Sequence, residues 1–407
     1  MFYKKRKYVL FNILQSFLIG KLIIILGCFF KLKIAIKLYC IINIPCIDLV
    51  TIIKIYPFTN RVFFGMYNKI KVAIAGLGRI SKKHIESLQN LENQVEIVAL
   101  CDSDINALNE VKKDFRDQVK YFTSIEELCS AEKYDLVSIC TPSGMHPEHG
   151  IIAARLGSNV LVEKPIGTKS SYADMLVQEC ANNNVKLFVV KQNRFNPPLI
   201  KLKNAIESGE MGKIYSIHSN VFWTRPQEYY DQAEWRGTYA LDGGAFMNQA
   251  SHYVDLMYWL GGDVYSLFAY TDHLARNIEA EDSGVVSLKY KNGAFGSMNV
   301  TMLTYPKNYE GSITVIAEKG TVKIGGIALN KLEHWFLKDD QTCTDVSYET
   351  SSVYGFGHTE YYKEVIKDLR GEKNNSVDGN EGLKSLKVIE AIYDSSRLKR
   401  EIILESK

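Results

Sequence analysis

No Cys-x-x-Cys pair occurs among the 407 residues, and none of the eight Cys stands at a zinc-ligand spacing with His. That excludes a structural zinc module. Scattered single Cys, such as Cys140 in DLVSIC, read as small core residues of a protein from a reducing compartment. The chain also lacks a sequence-wide repeat, a collagen-like period and a heptad run, so solenoid and fibrous architectures fail. Beyond residue 65 there is no excess of basic charge: 39 Lys/Arg face 45 Asp/Glu, which argues against a nucleic-acid partner. What is present is ordinary for a folded protein. Hydrophobic residues make up 46% and charged residues 23%, and the length suits two or three domains.

Residues 1–65 differ from the rest. They hold ten Lys/Arg and a single acid, Asp48. Val9 to Phe30 is a mostly apolar run whose one charged residue is Lys21, and it is preceded by Lys4, Lys5, Arg6 and Lys7. It is long enough to span a bilayer with the basic flank on the cytoplasmic side. No small-residue cleavage site follows it, which disfavours a signal peptide. The same Ile, Lys, Phe, Leu and Tyr bias is what translated AT-rich DNA upstream of a start codon would give, with Met66 standing a few residues before a self-sufficient domain. The two readings predict different locations: membrane-attached if the segment exists in the native protein, cytoplasmic otherwise.

From Lys69 onward the pattern is strand, turn, helix, repeated. IKVAIA (70–75), VEIVALCD (95–102), 134–140, NVLVEK (159–164) and KLFVV (186–190) are buried strand candidates, with helices between them. Such alternation predicts an α/β fold with a doubly wound parallel sheet over 66–192. After Asn193 the rhythm changes. A long β run, 213–224, a helix over 244–260 and strands at 264–273, 283–291, 294–303, 312–317 and 320–324 predict an α+β domain over 193–407. Its sheet should be large, open and mostly antiparallel, with Asn292-Gly293 as a hairpin turn and closing helices at 359–370 and 381–397.

Gly76-Leu77-Gly78-Arg79-Ile80-Ser81 is G-x-G-x-x-S between a strand and a helix. Glycine permits the tight turn and lets a pyrophosphate approach free amides at the helix start. Asp102 ends the second strand, placed to accept ribose hydroxyls and to repel a 2′-phosphate. That favours NAD over NADP. Thr141, Pro142, Ser143 and His146 follow the next strand, where ligands of such sheets sit. Glu163-Lys164-Pro165 ends another. A lysine there can hold a substrate hydroxyl and stabilise an alkoxide, or simply reach solvent. Asp242-Gly243-Gly244 opens a helix that carries His252 and Asp255 on one face. His252 is a candidate base or an ordinary core residue.

GLGRIS, CDSD, TPSGMH, EKP and GGAFMNQASHYVDLMYWLGG, in this order and spacing, resemble the glucose-fructose oxidoreductase / inositol dehydrogenase (Gfo/Idh/MocA) family over nearly all of 69–400. The resemblance implies a Rossmann-type NAD domain, Lys164 and His252 as the catalytic pair, and Trp235 and Arg236 reaching the cofactor. It also implies a cis bond at Lys164-Pro165 and a homodimer or homotetramer joined through the open sheet. QNRFNPPLIKLKNAI, NVFWTRPQEYYDQAEWRGT and DGGAFMNQASHYVDL are similar to the branch that oxidises C3 of UDP-linked N-acetylglucosaminuronic acid during synthesis of bacterial surface polysaccharide. A diphosphate and a carboxylate call for cations and amide donors. Asn193, Arg194, Arg225, Tyr229, Asn248 and Gln249 lie in the right segments for them. No metal is expected. NADH would either leave or stay bound and be reoxidised by a second substrate such as 2-oxoglutarate. The alternatives are a dehydrogenase of another sugar or cyclitol, and a non-catalytic NAD-binding protein.

Overall fold

The structure, a computed structural model, describes residues 68–115, 118–338, 344–350 and 355–404. The extension 1–65 lies outside the described residues. Among those described, no helix is long and apolar enough to cross a membrane.

The first half alternates strand and helix: β1 (Ile70–Ala75), α1 (Ser81–Gln89), β2 (Val95–Cys101), α2 (Ile105–Phe115), β3 (Lys120–Phe122), α3 (Ile125–Ala131), β4 (Leu136–Ile139), α4 (His146–Arg155), β5 (Asn159–Val162), α5 (Ser170–Asn182) and β6 (Leu187–Val189). All pairings are parallel and the strand order is β3-β2-β1-β4-β5-β6. Val72, Ala73 and Ile74 are fully buried, as they must be in a strand covered by helices on both faces. The order reverses between β1 and β4, which opens a crevice at their carboxyl ends. The short β3 and α3 had no clear signal in the sequence.

The second half contains α6 (Pro197–Glu207), β7 (Ile214–Phe222), the single turn α7 (Gln227–Tyr230), α8 (Ser251–Gly261), β8 (Val264–Asp272), β9 (Ser283–Tyr290), β10 (Phe295–Thr301), β11 (Glu310–Ala317), β12 (Gly320–Gly325), β13 (Lys331–Leu337), α9 (Gly357–Leu369), α10 (Gly379–Leu398) and β14 (Ile402–Ile403). Its eight strands run β13-β12-β11-β7-β10-β9-β8-β14, antiparallel except for the β7–β10 pair. The β9–β10 connection turns at Gly293, φ +89°, with the Asn292 side chain accepting from the Ala294 N–H. α8 packs against β7 and α10. α9 returns to the first sheet, where Tyr361 and Tyr362 share a core with Val72, Ile74 and Leu100.

The helix expected over 244–260 is divided. Ala245–Gln249 forms a wide π turn, and α8 begins only at Ser251. Two contacts draw the segment aside: the Ala245 N–H donates to the Glu281 carbonyl and the Phe246 N–H to the Glu281 carboxylate. Gly244, φ +93°, lies so close that a Cβ would fall 2.1 Å from a Glu281 oxygen. The π turn brings Asn248 to the crevice, four residues before His252.

Candidate active site

A cavity of about 570 Å³ occupies the crevice. Its lining includes Gly76, Gly78, Arg79 and Ile80 from the first turn, Asp102 from the end of β2, and Thr141, Pro142, Ser143 and His146 after β4. Glu163 and Lys164 after β5 also line it. From the second half come Gln192, Tyr229, Trp235, Arg236 and Asn248.

The first turn is shaped for a dinucleotide. Gly76, φ +91°, packs so tightly on the β4 end that a Cβ would lie 2.6 Å from the Cys140 carbonyl carbon. At Gly78 the same Cβ would meet nothing within 4 Å, so the space above the turn is free for a ligand. α1 starts without a side-chain cap, which leaves its first amides to face that space. Asp102 is locked at the rim: one carboxylate oxygen accepts the Leu77 N–H at 2.6 Å and the other the Asp104 N–H at 2.8 Å. These residues fit NAD.

Lys164 lines the inner end, whereas His252 is not among the lining residues and lies behind Gln192, which touches its ring. The Lys164 Nζ donates to the Asn248 carbonyl at 2.9 Å, and Asn248 precedes His252 by one helical turn. The Lys164-Pro165 bond is cis. Burial lowers the Lys164 pKa, and the nearby Lys191 and Arg225 add to the effect against the pull of Glu163 and Asp242. Burial, then the charges of Lys164 and Lys191, hold the His252 pKa well below its usual range. His252 is therefore neutral at pH 7.

Other expected contacts are placed differently. The Glu163 carboxylate turns into a buried cluster behind Lys164. It accepts from the Lys164 N–H at 3.0 Å, meets His84 Nε2 at 2.8 Å and lies 3.4 Å from His358 Nε2. Burial alone would raise its pKa; the two histidines outweigh burial and hold it well below the carboxylate range. His146 sits between the Thr141 and Pro165 carbonyls, 2.8 and 2.7 Å away. Burial pushes its pKa down, and a neutral ring has one N–H, so it donates to only one of them at a time. His146 thus braces two loops of the cavity wall.

Arg194 does not face the cavity. It is 8% exposed and forms a bidentate pair with Asp255, both distances 2.8 Å, plus a 3.1 Å contact to Glu381. Its guanidinium is consumed there, which corrects the expectation that it would meet a substrate. Asn193 is buried and is not among the cavity-lining residues. Arg225 and Gln249 stand behind Tyr229. Arg225 lies 5.3 Å from its ring centroid and Gln249 Nε2 lies 3.4 Å from its hydroxyl. Around the same ring sit Arg236 at 4.5 Å, also donating to the hydroxyl at 2.7 Å, and Arg79 at 5.6 Å. Three guanidinium groups thus surround one tyrosine at the cavity.

Sequence reasoning missed Lys191, Gln192, His84 and His358. Lys191 is 2% exposed, donates to Ser385 Oγ at 2.8 Å and lies 3.3 Å from Asp255. Gln192 touches His252 directly, Nε2 to Nε2 at 3.1 Å. A buried Lys-Gln pair directly after the apolar strand KLFVV was the available signal.

Residues 70–191 match the model of the oxidoreductase family's NAD-binding Rossmann fold, and residues 203–404 match that family's C-terminal alpha/beta domain. The chain belongs to the Gfo/Idh/MocA oxidoreductases. Among curated relatives, the myo-inositol 2-dehydrogenase of Thermotoga maritima is 26% identical over 83% of this chain and 99% of its own length. Among solved structures, the WlbA dehydrogenase of Bordetella pertussis, in complex with NADH and UDP-GlcNAcA, is 45% identical. It aligns with a TM-score of 0.77 over 84% of this chain and all of its own. The WlbA dehydrogenase of Chromobacterium violaceum, with the same two ligands, gives the same identity and TM-score over 84% of this chain and 98% of its own. As a Gfo/Idh/MocA member the chain is an NAD-dependent sugar or cyclitol dehydrogenase.

Proposed function

We propose that the protein oxidises the C3 hydroxyl of UDP-N-acetylglucosaminuronic acid to the ketone, in the synthesis of acidic sugars for surface polysaccharide. The observation that carries this reading is the arginine cluster. Arg79, Arg225 and Arg236 gather positive charge around Tyr229, more than the pyrophosphate of NAD alone calls for, and Arg225 in particular suits the diphosphate or carboxylate of a nucleotide-sugar acid. The 45% identity to two dehydrogenases crystallised with UDP-GlcNAcA supports it.

Bound nicotinamide supplies the hydride acceptor. Gly76, Gly78 and Asp102 hold the dinucleotide, and Thr141, Pro142, Ser143, Trp235 and Arg236 wall it in. Neutral His252 takes the hydroxyl proton. Lys164 holds the same oxygen and stabilises the alkoxide as the hydride leaves. Glu163, fixed by His84, anchors the Lys164 backbone. Losing the base by His252→Asn should lower kcat by about 10²–10⁴-fold, with NAD affinity unchanged. The outer face of the second sheet carries Tyr215, Tyr270, Val285, Phe295 and Phe336 exposed, which supports assembly as a homodimer or homotetramer.

Turnover assays decide the substrate. The protein should reduce NAD with UDP-N-acetylglucosaminuronic acid and yield the 3-keto sugar, with 2-oxoglutarate added in parallel to detect recycling of bound NADH. Oxidation of myo-inositol with no activity on the nucleotide sugar would overturn the reading.

A further inference from the structure

Gln192 follows β6 and stands between the proposed base and the cavity. Its side chain is 2% exposed, and it lines the cavity. Its amide nitrogen lies 3.1 Å from His252 Nε2. An amide nitrogen can only donate, so the ring nitrogen it meets must accept. With the amide in this orientation, His252 carries a lone pair on Nε2 and its proton on Nδ1, an assignment that follows from the amide's placement. The amide oxygen of Gln192 is buried and has no hydrogen-bond partner. A buried carbonyl without a donor is costly, and a site that leaves one open is built to receive a donor.

We propose that Gln192 is the positioning residue that keeps His252 Nε2 as proton acceptor, and that its open amide oxygen receives a hydroxyl or amide N–H of the sugar beside the reacting carbon. This deepens the proposed function and rests on His252 being the base. A hydroxyl that donates to Nε2 replaces the amide N–H there, while the amide oxygen takes a neighbouring donor. Gln192 thus exchanges one hydrogen bond for another as substrate enters. An apolar side chain of equal size would neither fix the ring nor receive the sugar.

The groups facing His252 come from several elements. Lys164 after β5 and Lys191 after β6 oppose its protonation, while Glu163 after β5 and Asp255 on α8 favour it. Arg194 neutralises much of the Asp255 charge. Against this background a carboxylate in place of Gln192 would accept from a protonated Nε2, reverse the tautomer and stabilise the imidazolium.

Two measurements test the proposal. The first needs no substrate: ring-nitrogen NMR of histidine-labelled protein with NAD bound, the His252 signals being those absent from His252→Asn. The wild-type ring should carry its proton on Nδ1. Gln192→Glu should move it to Nε2 and raise the ring's pKa. A wild-type ring protonated on Nε2, or a Gln192→Glu ring unchanged in both respects, would overturn the assignment. The second is steady-state kinetics on whichever sugar the wild type oxidises. Gln192→Met should raise KM and lower kcat, each by about tenfold or more, the scale of one lost charged or buried hydrogen bond, with NAD affinity unchanged. Wild-type KM in Gln192→Met would overturn the role of the amide oxygen. If the sugar oxidised is not a UDP-sugar acid, the proposed substrate fails while the NMR result still judges Gln192.

Discussion

Arginine serves two opposite purposes on the two sides of His252. Behind the helix, Arg194 is sealed against Asp255 and Glu381, with Lys191 pressed on the same carboxylate. In front of it, Arg225 and Arg236 are half-buried around Tyr229 beside the cavity, and Arg79 is exposed there. The first group is internally neutralised and fixes where α8 lies. The second is stacked on an aromatic ring, and no salt bridge to a carboxylate is found for it among the described residues. Stacking keeps a guanidinium oriented without cancelling its charge. Charge buried and paired therefore builds the site, and charge stacked and unneutralised is what a ligand can meet.

The largest effect should come from breaking the sealed group. Arg194→Met leaves the Asp255 carboxylate with Lys191 and should cost about 2–3 kcal/mol of stability in chemical denaturation, short of the penalty for a wholly unpaired buried charge. Variant protein that folds should keep its NAD affinity. Unchanged stability with a raised sugar KM would instead place Arg194 in the substrate site.

Acid titration examines the same group. Burial alone would raise the Asp255 pKa; Arg194 and Lys191 outweigh it and lower it to about 2. Its folded pKa lies below the unfolded value, so its contribution is present above pH ~4. The contribution, about 2 kcal/mol, should vanish as pH falls toward 2. Denaturation midpoints in Arg194→Met should lose this part of the acid dependence. Equal slopes in both proteins would show that Asp255 is not tuned by Arg194.

The open group should respond in binding more than in stability. Arg225→Met should raise the KM for a UDP-sugar acid about tenfold, and leave the KM of a neutral cyclitol, if any is oxidised, unaltered. Equal losses on charged and neutral substrates would mean that Arg225 only supports the Tyr229 ring. The smallest effect is expected at Asp102. Asp102→Asn removes the charge that repels a 2′-phosphate and should raise the affinity for NADP relative to NAD, read by paired titrations.

Much of this molecule is legible in its sequence. The apolar strands, the Gly76–Ser81 turn and Asn292-Gly293 act locally, and the structure places them as the pattern predicts. The local signal ends where function depends on distant partners. Arg194 reads as a ligand for an acidic sugar until Asp255, 61 residues on, is seen to hold it. Gln192 reads as a loop residue until His252 arrives from 60 residues away. Glu163 follows an apolar strand in either reading, and only the approach of His84 and α9 turns its carboxylate inward. The π turn at Ala245–Gln249 depends on Glu281, which no periodicity connects to it.

The central claim is that His252 takes the proton while Lys164 holds the oxygen, and the pH dependence of kcat/KM tests it most directly. Wild-type enzyme should show an acidic limb below pH ~6.5, the unperturbed histidine value, because burial and the two lysines depress the His252 pKa. That limb should disappear in His252→Asn and survive in Lys164→Ala. A limb that persists in His252→Asn and vanishes in Lys164→Ala would make Lys164 the base and invert the assignment.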